Sequence, residues 1–134
     1  MASRAVAEIN LTSLVLLGGS HTERAKGVCL LEAVAWMARE PHSDRPQCAC
    51  PVLAAFGRRL NDAFSKEDRQ LLKPFIPMLV NSRRDRSVEL KRAFFFADRA
   101  VRLFAPIALR ARGKEDWAKK LEDLPEIVDQ STAR

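Results

Sequence analysis

The sequence lacks a long apolar run, a convincing signal segment and a paired set of cysteines. A membrane-spanning helix needs about 20 predominantly apolar residues, whereas the apolar patch at residues 14–17 is short. Cys29, Cys48 and Cys50 are an odd number, and one alanine between the last two is a poor geometry for a disulfide bond. We therefore expect a cytoplasmic protein with no membrane partner and no disulfide scaffold.

The sequence also lacks the glycine-rich fingerprints of common enzyme classes. It contains no nucleophile elbow, phosphate-binding loop or dinucleotide-binding motif. A thiol-dependent enzyme stays open as an alternative, because Cys48 precedes a predicted helix start and His21 or His42 could assist its thiolate. The missing fingerprints nevertheless favour a non-enzymatic protein.

Length and charge indicate a small basic protein. The chain has 134 residues, 47% of them hydrophobic, which is enough for one domain with a real core. We expect a single helical domain over residues 1–134, frayed at residues 1–6 and 131–134. Lys and Arg number 23 against 17 Asp and Glu, and the net charge of +6 favours an anionic partner.

The spacing of the apolar residues predicts an all-α fold, an irregular bundle of about five to seven helices. Residues 7–17 are apolar and partly alternating, so both helix and strand stay open there. A largely buried helix is predicted at residues 23–39. An amphipathic helix is predicted at residues 52–64, with Pro51 suited to its first turn.

The chain after Phe64 predicts shorter helical pieces. Ser65 followed by Asp68 resembles a helix cap, which indicates a helix starting near Lys66. Pro74 and Pro77 interrupt the apolar residues that follow, and we expect two short pieces joined by a bend.

The longest predicted helix covers residues 86–104 and reaches residue 110 after a disturbance at Pro106. Gly113 ends it, and a last helix covers residues 114–121. The predicted core stripe of the longest helix consists of residues at spacings of three and four, namely Leu90, Phe94, Ala97, Val101, Phe104 and Ala108.

Residues 40–51, the proline-cysteine loop, concentrate reactive side chains between two predicted helices. Prolines at positions 41, 46 and 51 exclude a continuous helix, so a stiff backbone presents His42, Asp44, Cys48 and Cys50. Such a loop is either a structural clasp or a site.

Zinc is the cofactor that this loop could bind. Tetrahedral zinc takes thiolate and imidazole ligands, and the candidate ligands are Cys29, His42, Cys48 and Cys50, with Asp44 as an alternative. Structural zinc sites commonly place two residues between paired cysteines, whereas Cys48 and Cys50 are separated by one. The spacing therefore favours a loop that turns the chain and holds the angle between two buried helices, with no cofactor.

Glu32 lies on the predicted buried helix among apolar residues. An isolated buried charge is costly, so such a carboxylate needs a partner. Arg39 and Arg24 lie one or two turns away along the chain. We expect Glu32 to form an internal ion pair or to bind loop backbone.

A basic face on the longest helix is the candidate for partner binding. Opposite the core stripe we expect a set of cations with one aromatic ring, Lys91, Arg92, Phe95, Arg99 and Arg102, with Arg83 and Arg84 at the entry of the helix. We call these seven residues the basic face. Such a face could bind a nucleoprotein, a nucleic acid or an acidic protein surface. An ordinary solvated helix face is the alternative.

Three sequence stretches carry a resemblance to known sequences: Gly27 to Trp36, Glu40 to Pro51, and Leu60-Asn61-Asp62. Together they resemble a group of small uncharacterised proteins encoded in bacterial and bacteriophage genomes. The resemblance implies a prokaryotic or phage setting, and it assigns no activity and no catalytic residue. It also suggests that the protein is a small phage-encoded inhibitor of host defence, such as an anti-CRISPR protein.

Overall fold

The computed structural model describes residues 6–134, and the predicted all-α class is confirmed. Within this range there are six α-helices and no β-strand, only an isolated parallel bridge. The residues group into two compact units, the first ending at Arg84 and the second covering Asp85–Arg134. The predicted frayed segment at residues 1–6 lies outside the described residues apart from Val6.

Each unit contains three of the α-helices and at least one other helical turn. In the first unit these are α1 (Leu30–Met37), α2 (Pro51–Ala63) and α3 (Ile76–Leu79), with 3-10 turns at Arg24–Lys26 and Asp68–Phe75. In the second unit they are α4 (Arg86–Arg99), α5 (Ala105–Arg110) and α6 (Glu115–Glu122), with a π-helical turn at Ala100–Phe104. No helix in the described part of the chain combines the length and the apolar character that crossing a membrane requires.

The first unit is built around α1. Every residue of α1 except Trp36 is buried, which confirms the prediction of a largely buried helix. Its side chains pack with Leu16, Ala54, Leu72 and Ile76, which come from four other segments of the unit. Burial on all sides explains why the apolar residues of this helix show no single stripe.

α1 is shorter than the predicted helix at residues 23–39, and Gly27 is the reason. Gly27 has φ of +133° and ψ of 174°, a conformation outside the helical region, so the chain leaves the 3-10 turn there. The helix then begins after Cys29, whose extended backbone forms the N-cap. Glu32 completes a capping box with Cys29.

Residues 7–17 are mostly irregular, with one extended contact at Leu16. Leu16 forms a parallel bridge with Val28, and Leu17 N–H donates to the Val28 carbonyl oxygen at 2.9 Å. The backbone of Leu16 pairs on its other side with the side chain of Gln70. The amide oxygen of Gln70 accepts from Leu16 N–H, and its amide nitrogen donates to the Leu16 carbonyl, both at 2.9 Å.

The segment from α2 to α3 follows the predicted proline and serine signals. Pro51 is the first residue of α2, and Ser65 Oγ accepts from Asp68 N–H at 3.0 Å. A 3-10 turn containing Pro74 and the short helix α3 are the two expected pieces. Half of their apolar residues are not covered, since Leu71, Phe75 and Met78 are exposed.

The long helix of the second unit is confirmed, and its disturbance is the π-helical turn. Pro106 has no N–H to donate to the carbonyl of Arg102, and the π-helical turn immediately precedes α5, which contains Pro106. The helical run ends at Arg110, just before Gly113, as the sequence predicts. The next helix, α6, begins and ends one residue later than predicted.

The predicted core stripe of this long helix is only partly correct. Phe94, Ala97 and Val101 are half-buried, whereas the other three residues of the stripe, Leu90, Phe104 and Ala108, are exposed. The fully covered positions along it are instead Asp98 and Pro106. The π-helical turn shifts the helical spacing of the residues after it, which accounts for Ala108 but not for Leu90, which precedes the turn.

Candidate functional site

The proline-cysteine loop is held together by carboxylate and hydroxyl groups that bind its backbone. Glu40 accepts from the N–H groups of Gln47 at 2.6 Å and Cys48 at 2.8 Å. Ser82 Oγ accepts from Cys50 N–H at 2.9 Å. These bonds supply the backbone partners that a proline-rich loop cannot find in helix or sheet.

His42 points from this loop toward the beginning of the chain. Its Nε2 lies 3.0 Å from the carbonyl oxygen of His21, so Nε2 must carry the proton that is donated. The other ring nitrogen, Nδ1, is buried without a hydrogen-bond partner. Asp44 contributes its backbone carbonyl, which accepts from Arg58 at 3.0 Å.

Glu32 is the centre of this cluster and is only 1% exposed. One carboxylate oxygen accepts from His21 N–H at 2.6 Å and lies 3.6 Å from Nε2 of His42. The other accepts from Cys29 N–H and from Nδ1 of His21, both at 2.8 Å. The prediction that Glu32 binds loop backbone is correct. The side chains beside its carboxylate are those of His21 and His42, and among the described residues it forms no ion pair with Arg39 or Arg24. Glu32, His21 and His42 form what we call the glutamate clasp.

Asn61 extends the same network to α2. Its Oδ1 accepts from Leu30 N–H and its amide nitrogen donates to the Leu17 carbonyl oxygen, both at 3.0 Å. The neighbouring Asp62 accepts from Gly19 N–H at 2.9 Å. The start of α1, the end of α2 and the turn at residues 18–21 are therefore tied together by polar side chains.

The acid dependence of stability should reveal the glutamate clasp. Burial alone raises the pKa of Glu32, but the hydrogen bonds from His21 and Cys29 outweigh it and hold the pKa below the ordinary value of 4.5. A depressed folded-state pKa gives stability that is complete above the unfolded pKa and is lost as the pH falls through the folded pKa. Urea unfolding from neutral pH to about pH 3 should therefore bring wild-type protein and Glu32→Gln closer together in stability. A gap that stays constant with pH would contradict this.

The four candidate zinc ligands are not assembled into one site. Cys29 and Cys50 are the N-cap residues of α1 and α2, Cys48 is half-buried, and His42 points to His21. Among residues 6–134, no group of three or more His, Cys, Asp or Glu side chains could hold a metal ion. Among the described residues, the structure therefore contains no group of side chains arranged to bind a zinc ion.

The thiol groups of Cys29 and Cys48 differ from that of an activated nucleophile. Burial raises the pKa of the Cys29 thiol to about 12. Burial and the nearby Glu40 carboxylate also raise the pKa of Cys48. A catalytic cysteine needs the opposite shift, because the thiolate is the reactive form.

The predicted basic face is divided between the two units. Arg83 and Arg84 belong to the first, where Arg84 donates to the carbonyl oxygens of Asn81 at 2.7 Å and Arg83 at 2.9 Å. The other five residues, Lys91, Arg92, Phe95, Arg99 and Arg102, belong to the second.

Arg102 is held by a carboxylate that the sequence analysis overlooked. Asp98 is 3% exposed and accepts from Arg102 at 2.9 Å and from Ile127 N–H at 2.9 Å. The hydrogen bond from Arg102, followed by that from Ile127, lowers the pKa of Asp98. Arg102 is therefore paired with a carboxylate within the unit, and its side chain is only partly exposed.

Within the second unit, the exposed residues of the basic face form a line of three on α4. Lys91, Phe95 and Arg99 follow one another at intervals of four, and all three are exposed. The guanidinium carbon of Arg99 lies 5.0 Å from the centroid of the Phe95 ring, whose edge also meets Phe96. We call Lys91, Phe95 and Arg99 the α4 face.

Two of the residues missed by sequence reasoning carried a local signal. Asn61 follows the small buried residues Ala54 and Gly57 at helical spacing, so its amide lies on the covered side of α2. Asp98 and Arg102 are an i,i+4 pair, the spacing of a helical ion pair. The contact of Asp98 with Ile127 had no such signal.

No protein-family model, curated protein or solved structure matches this chain. The function is therefore inferred from the side chains described above.

Proposed function

We propose that this is a non-enzymatic interaction protein that binds an anionic partner through the α4 face. The supporting observation is Arg99, which is exposed, stacked on Phe95 and has no hydrogen bond or ion pair with the described residues. Arg102 is bonded directly to Asp98, whereas Arg99 acts on the same carboxylate only at a distance, so its N–H donors stay free for a partner.

The contact between Arg99 and Phe95 positions the guanidinium so that it can bind an anion. The contact holds the guanidinium over the Phe95 ring while its N–H donors stay free, and these donors match the oxygens of a carboxylate or phosphate. Phe95 is 54% exposed, which leaves apolar surface next to the charge. Lys91, one helical turn earlier, adds a second mobile cation.

A second exposed aromatic ring with a cation lies in the same unit. Trp117 is 59% exposed, and Nζ of Lys120 lies 4.7 Å from its ring centroid. Exposed aromatic and arginine side chains are the residue types that most often dominate binding energy at interfaces. The second unit thus offers two such anchors, of which the α4 face carries more charge.

Reversal of charge on the α4 face should abolish most partner capture. The double variant Lys91→Glu with Arg99→Glu replaces attraction by repulsion, and we expect capture from a lysate of the native host to fall about tenfold or more. Captured protein and nucleic acid are both identified, with and without nuclease. Loss of salt-dependent capture after nuclease treatment would identify a nucleic-acid partner.

The matched control is Arg59→Glu with Lys66→Glu, which changes the net charge equally at exposed positions of the first unit. It should retain capture. Equal capture by the α4-face variant and wild-type protein would refute the proposal, and equal losses in both double variants would mean that only the total charge matters.

We extend the proposal to a phage-encoded inhibitor of a host defence system, such as an anti-CRISPR protein. This extension rests on the sequence resemblance alone. An inhibitor that acts by binding would need an exposed surface such as the α4 face. Capture of a host defence complex on wild-type protein but not on the α4-face variant would support it.

A further inference from the structure

A groove of about 460 Å³ in the first unit is not used by the function proposed above. Its apolar lining includes Ile9, Leu14, Val15 and Trp36, and Arg24 contributes the positive charge. Volumes between about 300 and 1,000 Å³ with mostly apolar walls and few polar groups are typical of small-molecule sites.

Most of the polar groups around the groove are already occupied within the fold. Asn10 Oδ1 accepts from the N–H groups of Thr12 at 3.0 Å and Ser13 at 3.3 Å. Ser13 Oγ in turn donates to the Asn10 carbonyl oxygen at 3.2 Å. The charged groups left at the groove are the Arg24 guanidinium and the Glu8 carboxylate.

Arg24 is positioned without being neutralised. Its guanidinium carbon lies 4.2 Å from the centroid of the Trp36 ring, and it has no hydrogen bond or ion pair with the described residues. Stacking holds the plane of the guanidinium, and the N–H donors at its edge remain available for a bidentate contact with a carboxylate.

We infer that this groove binds a small amphiphilic carboxylate. The carboxylate pairs with Arg24, and the apolar tail packs against Trp36, Val15 and Ile9. The net charge of +6 attracts such an anion over long range. Glu8 opposes it locally, so the charge at Glu8 limits the affinity.

Tryptophan fluorescence tests this inference directly. The chain has two tryptophans, so a Trp117→Phe background leaves Trp36 as the single reporter. Octanoate, titrated below its micelle concentration, should change the Trp36 emission in a saturable manner. Octanol lacks the charge and octylamine reverses it, and both should bind at least about tenfold more weakly.

Two variants give opposite expected results. Arg24→Met keeps an unbranched chain against Trp36 but removes the charge, and octanoate affinity should fall about tenfold or more. Glu8→Gln removes the repulsion and should strengthen octanoate binding. Arg59→Met, at an exposed arginine outside the groove, should leave the affinity unchanged.

Three results would overturn the inference: octanol binding as well as octanoate, Arg24→Met binding octanoate as well as the parent protein, or Glu8→Gln weakening the binding. If Arg24→Met does not fold by circular dichroism, Glu8→Gln decides, because a damaged fold cannot tighten binding. None of these variants touches the α4 face, so this inference and the proposed function can fail separately.

Discussion

Glu32→Gln should lower the free energy of unfolding by about 2–4 kcal/mol, the largest effect expected for an isosteric change in this chain. Both carboxylate oxygens of Glu32 accept hydrogen bonds, from two backbone N–H groups and from the ring of His21. An amide group in its place must turn an NH₂ toward one of these donors. A buried donor facing a donor loses its bond and cannot regain it from water.

Urea unfolding at neutral pH measures the effect. The matched control is Glu23→Gln, because Glu23 is exposed and contacts only the exposed Lys26 at 3.4 Å. Its effect should stay within about 0.5 kcal/mol. A Glu32→Gln protein as stable as this control would show that the glutamate clasp contributes little.

Gly27→Ala should cost about 2–4 kcal/mol of stability, for two reasons. The φ of +133° at Gly27 is a conformation that side chains rarely adopt. A Cβ atom there would also lie 2.5 Å from Cδ1 of Leu17 and 3.2 Å from the ring of His21. Relief of these contacts would displace His21, which is part of the glutamate clasp.

Gly19→Ala is the control for this prediction. Gly19 also has a positive φ, +73°, but a Cβ atom there would meet nothing within 4 Å. Its cost should be limited to the backbone term of about 1–2 kcal/mol. The φ of +133° at Gly27 is less accessible to a side chain than the φ of +73° at Gly19. Thermal unfolding should therefore show a larger loss for Gly27→Ala, from backbone strain and the contacts with Leu17 and His21 together. Equal losses in the two variants would refute the contribution of close packing at Gly27.

The helices that local signals could predict are those with caps and prolines at their ends. Pro51 opens α2, Ser65 caps the chain before the 3-10 turn, and Pro106 marks the disturbance of the long helix. These residues act on backbone within one turn of their own position, so sequence alone reveals them. The early break at Gly27 was missed because it depends on the backbone conformation of that glycine, φ +133° and ψ 174°, which helical spacing does not reveal.

The candidate sites were predicted less completely, because charged side chains pair with residues that are distant in sequence and close only in the folded chain. The sequence indicated that Glu32 needs a partner, but helical spacing suggested Arg39, whereas a loop return brings His21 and His42 to it. The basic face was predicted from one helix, and spacing along α4 does identify Lys91, Phe95 and Arg99. The burial of Asp98 could not be predicted in this way, because its carboxylate also accepts a hydrogen bond from Ile127 N–H, which is distant in sequence.

The pairing between Gln70 and Leu16 has a consequence for self-association. An extended segment with free N–H and C=O groups can recruit a strand from another molecule, which is a common beginning of aggregation. At Leu16 both backbone groups are taken by the amide of Gln70, which imitates a neighbouring strand for one residue. The side-chain amide thus blocks the apolar patch at residues 14–17 from serving as a template for intermolecular β-pairing at Leu16.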